Sequence, residues 1–515
     1  MIFPILSVII FTPIAAGIII LLVKAENQSL IKRIALTAVI INLVLSAFVY
    51  FRYDVAAAGY QYIEKIPWVT SLGISYHVGV DGISVPMVLL AGIVVFCGVL
   101  VSWNVDDRPR EFFAFLMFLA ASVYGVFCSL DLFLLFFFFE LAVFPKYLMI
   151  VMWGSPKTRD YGGMKLTLYL FLGSVIALVG ALAIYVGSGM NSFDMLELEK
   201  AGFSLEFQRI WFPFVFFGFA ILSGIFPFHS WAPDGHVAAP TAISMLLAGV
   251  EMKVGAFSAL RVGIMLLPEG AKVWAPLILV LATINVVYGA FIAMIQKDFK
   301  YVIGFSSVSH MGLVLIGFAT LNNEGLLGAG MQMFSHGIMT ALFFAIVGMV
   351  YDRTHTRDIA RLGGLNRVMP WAAIGFIVGG LVSMGMPGFS GFVAEFPIFM
   401  GAWQTMPMAA VIAAIGIVVT SAYILLVVRK VFFGDLPEEF GGPPKENIQP
   451  EGSPSDADMM EKPKRNLPIS DINVMDKVAV GLLVLTMIAL GWFPSLMAPI
   501  VQSGVDRILV ILGGI

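Results

Sequence analysis

Long uninterrupted apolar runs constrain this chain more than any other feature. About fourteen runs of roughly twenty residues lie near 3–23, 34–51, 83–103, 112–130, 132–153, 166–186, 210–228, 241–266, 273–295, 302–321, 326–350, 371–400, 408–428 and 478–496. Each is long enough to cross a hydrocarbon core of about 30 Å. In hydrocarbon every backbone N–H and C=O must find its partner within the segment, so the runs predict helices. Continuous rather than alternating apolar sequence excludes a β-barrel. With 59% of 515 residues hydrophobic and 12% charged, the chain reads as an all-α polytopic membrane protein and not as a soluble domain. A net charge of −3 offers no basic surface for nucleic acid. Cys97 and Cys128 stand alone inside apolar runs, without metal or redox spacing, so no metal site is expected. Met1-Ile2-Phe3-Pro4 lacks the basic region and cleavage site of a signal peptide and reads as the start of an uncleaved first span.

Basic residues orient the spans, because Lys and Arg concentrate in loops on the inner side. With the N-terminus outside, the inner loops hold 21 Lys and Arg and the outer segments 6. Fourteen spans then leave both termini outside, on the periplasmic face of a bacterial inner membrane. Arg52 to Asp81 lies outside and reads as a hairpin of Tyr, Trp, Val and Gly. Gly434 to Asp476 lies inside, rich in Pro, Gly and charge, and reads as a flexible linker.

Pro227 and Pro387 each interrupt a long span, and each interrupted span is the fourth in a group of five. Groups with an odd number of spans insert in opposite senses, so helices 4–8 and 9–13 are expected to form two inverted five-helix repeats with broken helices 7 and 12. The expected division is a three-helix segment with its outer loop (1–110), a first repeat (111–266), a second inverted repeat (267–432), and a linker with the last span (433–515). Plain proline kinks are the alternative reading, since Pro is common in membrane helices.

Few titratable residues fall inside the spans. Pro227 to Thr241 is a polar turn with His229, Asp234 and His236, and the apolar helix after it carries Glu251 and Lys253. A lysine at that depth costs about 3 kcal/mol to insert and is expected to face a protein interior. Glu140 follows four phenylalanines, His310 lies in Ser306-Ser-Val-Ser-His-Met-Gly, His336 in Met331-Gln-Met-Phe-Ser-His-Gly, and Glu395 follows the break Gly385-Met-Pro-Gly-Phe-Ser-Gly. Acids, an amine and imidazoles can each accept and release a proton once burial and neighbouring charge bring them near neutrality, as a relay requires. The competing readings are helix–helix hydrogen bonds for the histidines and structural ion pairs for the acids and the lysine. Glu251 sits two residues from Lys253, on another face of the helix, and is expected to be structural. Arg261, near the outer end of its span, is expected to snorkel. The glycines of 385–391 lack the strand and lysine of a phosphate loop and read as a helix break.

Gly79-Val-Asp-Gly-Ile-Ser, Phe138-Phe-Glu, Pro227-Phe-His-Ser-Trp-Ala-Pro-Asp, Ala239-Pro-Thr, Gln296-Lys-Asp-Phe-Lys, Ser306-Ser-Val-Ser-His-Met-Gly and Tyr351-Asp-Arg-Thr-His-Thr-Arg-Asp together resemble the antiporter-like membrane subunits of respiratory complex I, the subunit M type (chain 4 in mitochondria) most. The resemblance spans roughly residues 75–430. It implies a fourteen-helix core with two inverted repeats, and a proton-translocating, non-redox subunit of an NADH:quinone oxidoreductase. It implies other complex I membrane subunits, the lipid bilayer and protons as partners. It implies no cofactor in this chain, with NADH, FMN, Fe–S clusters and quinone in partner subunits. By position it implies roles for Glu140, Lys253, His310, His336 and Glu395. Protons would enter from inside near helices 7 and 8, load Lys253, pass His310, His336 and water, and leave outside from Glu395. Two rival readings are a subunit of a multi-subunit cation/proton antiporter and the membrane arm of an energy-converting hydrogenase. A third is a structural scaffold, against which five mid-membrane titratable residues argue.

One position departs from the family pattern. The resemblance implies a seventh-helix lysine seven residues before the His of Pro-Phe-His, and here that residue is Leu222. Lys146, in Pro145-Lys-Tyr of the fifth span, is expected to have taken over its role as the cation partner of Glu140. Six residues around an ideal helix do not align the two, so Pro145 would have to bend them together. Snorkelling of Lys146 to the inner interface is the alternative.

Overall fold

The computed structural model describes residues 4–57, 59–442 and 469–513. Most of the expected inner linker, residues 443–468, lies outside them. Helices α1 (Ile5–Leu22) and α2 (Gln28–Arg52) lead into an antiparallel hairpin, β1 (Gln61–Val69) and β2 (Ile74–Val80), which places Lys65 opposite His77. The hairpin expected from 52–81 is thus present. Next come α3 (Ser84–Val101), α4 (Pro109–Cys128) and a fifth span in two pieces, α5 (Leu132–Leu141) and α6 (Val143–Trp153). That interruption lies at Ala142; Pro145 has no backbone N–H, so the Leu141 carbonyl four residues earlier loses its helical donor.

Two further spans are broken. Helix α7 (Arg159–Ser188) is continuous, but α8 (Leu205–Ser223) ends at Gly224, which takes a left-handed conformation at φ +82°. The short α9 (Trp231–Ala238) follows the break. A broken helix exposes carbonyls and N–H groups that need partners. Trp231 Nε1 donates to the Ile221 carbonyl at 2.8 Å, and Asn285 donates to the Gly224 carbonyl at 2.8 Å while accepting from Phe226 N. The continuous spans that follow are α10 (Thr241–Ile264), α11 (Pro268–Ile295), α12 (Phe299–Thr320) and α13 (Asn323–Thr354). The twelfth span is then split into α14 (Pro370–Ser383) and α15 (Ser390–Thr405), with left-handed glycines at 385 and 388 between them. Helices α16 (Pro407–Phe432), α17 (Val474–Trp492) and α18 (Ala498–Ile511) complete the chain.

Among the described residues, 13 helices are long and apolar enough to cross a membrane, counting α5 with α6. The split pair α14–α15 supplies the fourteenth, as the apolar runs predict. The amphipathic α18 was not foreseen: at 14 residues it is short for a span, and it packs its Gly504 against Ile83 at the start of α3.

The helices are not equally exposed to lipid. The most apolar stretches of α10 and α13 are wholly buried and that of α12 nearly so, whereas α7 buries only 39% of its own. Three helices therefore form the interior, and they carry most of the titratable residues singled out above. Arg261 belongs here too. It does not snorkel: it is buried near the C-terminal end of α10, ion-paired with Asp81 and hydrogen-bonded to Tyr60 at 2.9 Å. The expectation failed because its partner lies 180 residues earlier in sequence.

Candidate functional site

Helix α10 departs from α-helical geometry twice, at Leu247–Glu251 and Ala259–Ile264, where it widens to π-helical turns. Such turns leave a carbonyl without its usual helical donor and are common at functional sites. Lys253, fully buried just past the first widened turn, donates to the Ala248 carbonyl at 2.5 Å and to His336 Nδ1 on α13 at 2.8 Å. The His336 ring stacks on that of His310 from α12, with centroids 5.4 Å apart and planes 25° apart. His310 Nδ1 lies 3.1 Å from Glu395 Oε1 on α15, and its Nε2 lies 2.9 Å from Ser383 Oγ, where α14 stops. Gln332 donates to the same Glu395 oxygen at 2.9 Å. Four of the sequence-predicted residues, Lys253, His336, His310 and Glu395, thus form one line through the interior, each at most 2% exposed.

The line retains hydrogen-bonding capacity. His336 Nε2, Glu395 Oε2 and Gln332 Oε1 are buried without a hydrogen-bond partner among the described residues. Unsatisfied polar atoms at this depth are costly unless water or a moving proton serves them. The break between α14 and α15 is what brings Glu395 in. Gly385 leaves room beside Glu395 Oε2, to which a side-chain Cβ would approach to 3.0 Å.

A second set of residues extends the line toward the loops richest in Lys and Arg. A 470 Å3 cavity is lined by Ser102, Asn104, Trp153, Asp352, Arg357 and Lys300, among others. Lys300, in the first turn of α12, is buried and donates to the Ala239 carbonyl at 2.6 Å. His236 on α9 is wholly buried, lies within electrostatic range of both Lys300 and Lys253, and has neither ring nitrogen hydrogen-bonded. Neither residue stood out in the sequence as a site residue. His236 was visible in the Pro227–Thr241 turn, but Lys300 read as one more inner-loop cation.

Glu140 and Lys146 are not brought together. Glu140 is exposed on α5 and makes no hydrogen bond or ion pair among the described residues, whereas Lys146 on α6 is 1% exposed. The partner of Lys146 is Glu251 on α10, equally buried and in direct contact, beside a small cavity that Leu222 also lines. The expected Glu140–Lys146 pair is therefore replaced by Lys146–Glu251. The residue spacing around the helix decides it, and the interruption at Ala142 does not turn Lys146 back to Glu140.

The family profile described as NADH:quinone oxidoreductase/Mrp antiporter, transmembrane, matches residues 129–420. NAD(P)H-quinone oxidoreductase chain 4-2 of Synechocystis sp. is 37% identical over 441 residues, covering 84% of this chain and 79% of the relative. NAD(P)H-quinone oxidoreductase chain 4 of Gloeobacter violaceus is 36% identical, covering 84% and 83%. Among solved structures, a chain of respiratory complex I from Thermus thermophilus superposes with a TM-score of 0.86 at 26% identity, over 99% of this chain and 100% of that one. A chain of the Mrp complex from Dietzia sp. superposes at 0.84 with 19% identity over 100% of both, which speaks for the fold alone.

Proposed function

This chain belongs to the NADH:quinone oxidoreductase/Mrp antiporter transmembrane family, and on that premise we propose that protons cross it along Lys253, His336, His310 and Glu395. The chain is a proton-translocating membrane subunit of an NADH:quinone-type oxidoreductase, and chain 4 relatives covering 84% of it support that identity over the antiporter reading. Its own role is non-redox. NADH, FMN, Fe–S clusters and quinone belong to partner subunits, and the other membrane subunits, lipid and protons are what this chain meets. It sits in a bacterial inner membrane with both termini on the periplasmic side, on the strength of the basic-residue asymmetry. The two groups of five spans, 111–266 and 267–432, serve as two half-channels.

The observation that carries the reading is the contact of the Lys253 amine with His336 at 2.8 Å, continued by His310 and Glu395 at 3.1 Å in the buried interior. A proton reaches Lys253 from the inner cavity through Lys300 and His236. The lysine donates to His336 Nδ1, and ring rotation or a bridging water carries the proton across the stacked imidazoles. Glu395 receives it beside the α14–α15 break and releases it outward. Every carrier in this series both accepts and donates, which Met, Leu or Phe at the same sites cannot do. In inverted vesicles holding the complex, Lys253→Ala should lower the protons translocated per electron while quinone reduction continues. A wild-type ratio would refute the path.

A further inference from the structure

The line from Lys253 to Glu395 has a side branch that the path above does not use. His310 Nε2 lies 2.9 Å from Ser383 Oγ. Tyr423 on α16 donates to Ser306 Oγ on α12 at 2.7 Å, and the Ser383 and Thr420 hydroxyls lie close enough to the same phenol to interact with it. All four hydroxyl residues are buried. Ser306 is one turn from His310 on α12, so the two share a face. The branch thus leads from His310 through Ser383 and Tyr423 to Ser306, toward the end of the bundle where α12 starts and α16 finishes. Each hydroxyl along it can both accept and donate.

The branch stops at a layer of four buried phenylalanines, Phe299, Phe343, Phe376 and Phe432. The Phe376 ring meets the other three, with centroids 5.1 Å from Phe299, 4.7 Å from Phe343 and 5.2 Å from Phe432. Helix register explains the layer. Phe299 and Ser306 on α12, Phe376 and Ser383 on α14, and His336 and Phe343 on α13 are each seven residues apart. Seven residues make about two turns, so each helix sets its ring on the face of its polar residue, about 10 Å along the axis. Phe432 joins from the end of α16, where that helix widens to a π-helical turn. Lys300, next to Phe299, lines the 470 Å3 cavity instead. The first turn of α12 therefore bounds both the polar cavity and the aromatic layer.

We propose that this four-phenylalanine layer is a proton seal, closing the His310–Ser383–Tyr423–Ser306 branch on the face from which protons enter. The proposal rests on the proton path proposed above. With the branch closed, a proton that has reached His310 and Glu395 can return to the entry face only by way of Lys253. Phenylalanine suits the task because it neither donates nor accepts a proton. Nor does it supply the polar partners that a buried water needs.

The test follows the decay of an imposed pH gradient in vesicles holding matched amounts of the assembled complex, with no electron donor present. Phe376→Ala opens the layer beside the branch hydroxyls, and the gradient should collapse several-fold faster than in wild type. Phe432→Ala opens the same layer from α16, should leak as well, and gives a second reading where the first variant fails to assemble. Wild-type decay in the assembled alanine variants would make the layer packing alone and overturn the proposal. Phe376→Leu keeps the site filled and apolar and should stay tight; a leak equal to that of Phe376→Ala would mean general loosening and overturn it too. Phe376→Ala/Tyr423→Phe removes the phenol that bridges the branch and should return the decay to the wild-type rate. A leak that persists in this double variant would overturn the branch as the route that is sealed. The underlying path is read separately, as protons translocated per electron: a wild-type ratio in Lys253→Met would remove the path, whatever the decay rates.

Discussion

Replacing Asp81 tests how the start of α3 is tied to the C-terminal end of α10 without touching the proton path. Asp81 is 2% exposed and does two things. It accepts from the backbone N–H groups of Ile83 and Ser84 at 3.0 Å each, ordering the start of α3, and it neutralises Arg261, itself 3% exposed on α10. Asp81→Asn keeps an oxygen for the backbone donors but removes the charge. Arg261 would then retain Tyr60 at 2.9 Å and the face of Phe257, whose centroid lies 4.9 Å from the guanidinium carbon. Those contacts do not cancel a buried positive charge, and breaking one partner of such a pair costs about 3–5 kcal/mol. Asp81→Ala adds the loss of the helix-start acceptor, about 1 kcal/mol more. Asp81→Asn/Arg261→Met removes both charges and should recover most of the loss. At this chain length about 1 kcal/mol corresponds to about 1 °C, so thermal unfolding of the purified complex, followed through this subunit, should order the variants as double, Asn, Ala, with the Asn variant about 3–5 °C below wild type. A midpoint unchanged in Asp81→Asn, or a double variant as unstable as the single one, would refute the reasoning.

Two further outcomes follow from other contacts. Burial pushes the Asp194 carboxyl up, but His77, Lys65 at 2.7 Å and the Leu196 N–H draw it down further, to about 2. The tie from Asp194 to Lys65 and His77 of the hairpin is therefore intact above the unfolded carboxylate range near 3.9 and is lost as pH falls through about 2; Asp194→Asn should flatten the acid side of the stability profile, and an unchanged acid limb would contradict this. Trp231→Phe should destabilise by about 0.5–1.5 kcal/mol by removing one of the two donors to the Ile221 carbonyl at the α8 break, the Gly224 N–H at 3.0 Å remaining, and a variant melting with wild type would show that the indole does not hold the break.

How much was legible in the sequence depended on the range of the interaction. The spans, the hairpin and the two breaks are local: apolar runs, turn residues, Pro227, and glycines such as Gly385 specify them within a few residues. Lys253, His310, His336 and Glu395 were legible because a titratable group inside an apolar run is conspicuous by itself. Their pairing was not, since His310 meets Glu395 across 85 residues and Lys253 meets His336 across 83. Range also explains the failures. Glu251 and Arg261 looked like a bystander and a snorkelling cation because Lys146 and Asp81 come from other helices. Glu140 looked like an interior acid because α5 is apolar all round, so nothing in its periodicity marks the face that points outward. Lys300 was hidden by its place in the first turn of α12, where a lysine ordinarily reaches water.

The central claim is that one serial path joins Lys253 to Glu395. The most direct measurement compares protons translocated per electron in Lys253→Met, in Glu395→Gln and in the two combined, all in vesicles with matched amounts of assembled complex. A serial path predicts the same reduced ratio in each single variant and no further loss in the double variant, because a path cut once carries nothing more to lose. Losses that add in the double variant would mean that the two residues serve separate proton routes, and would contradict the account.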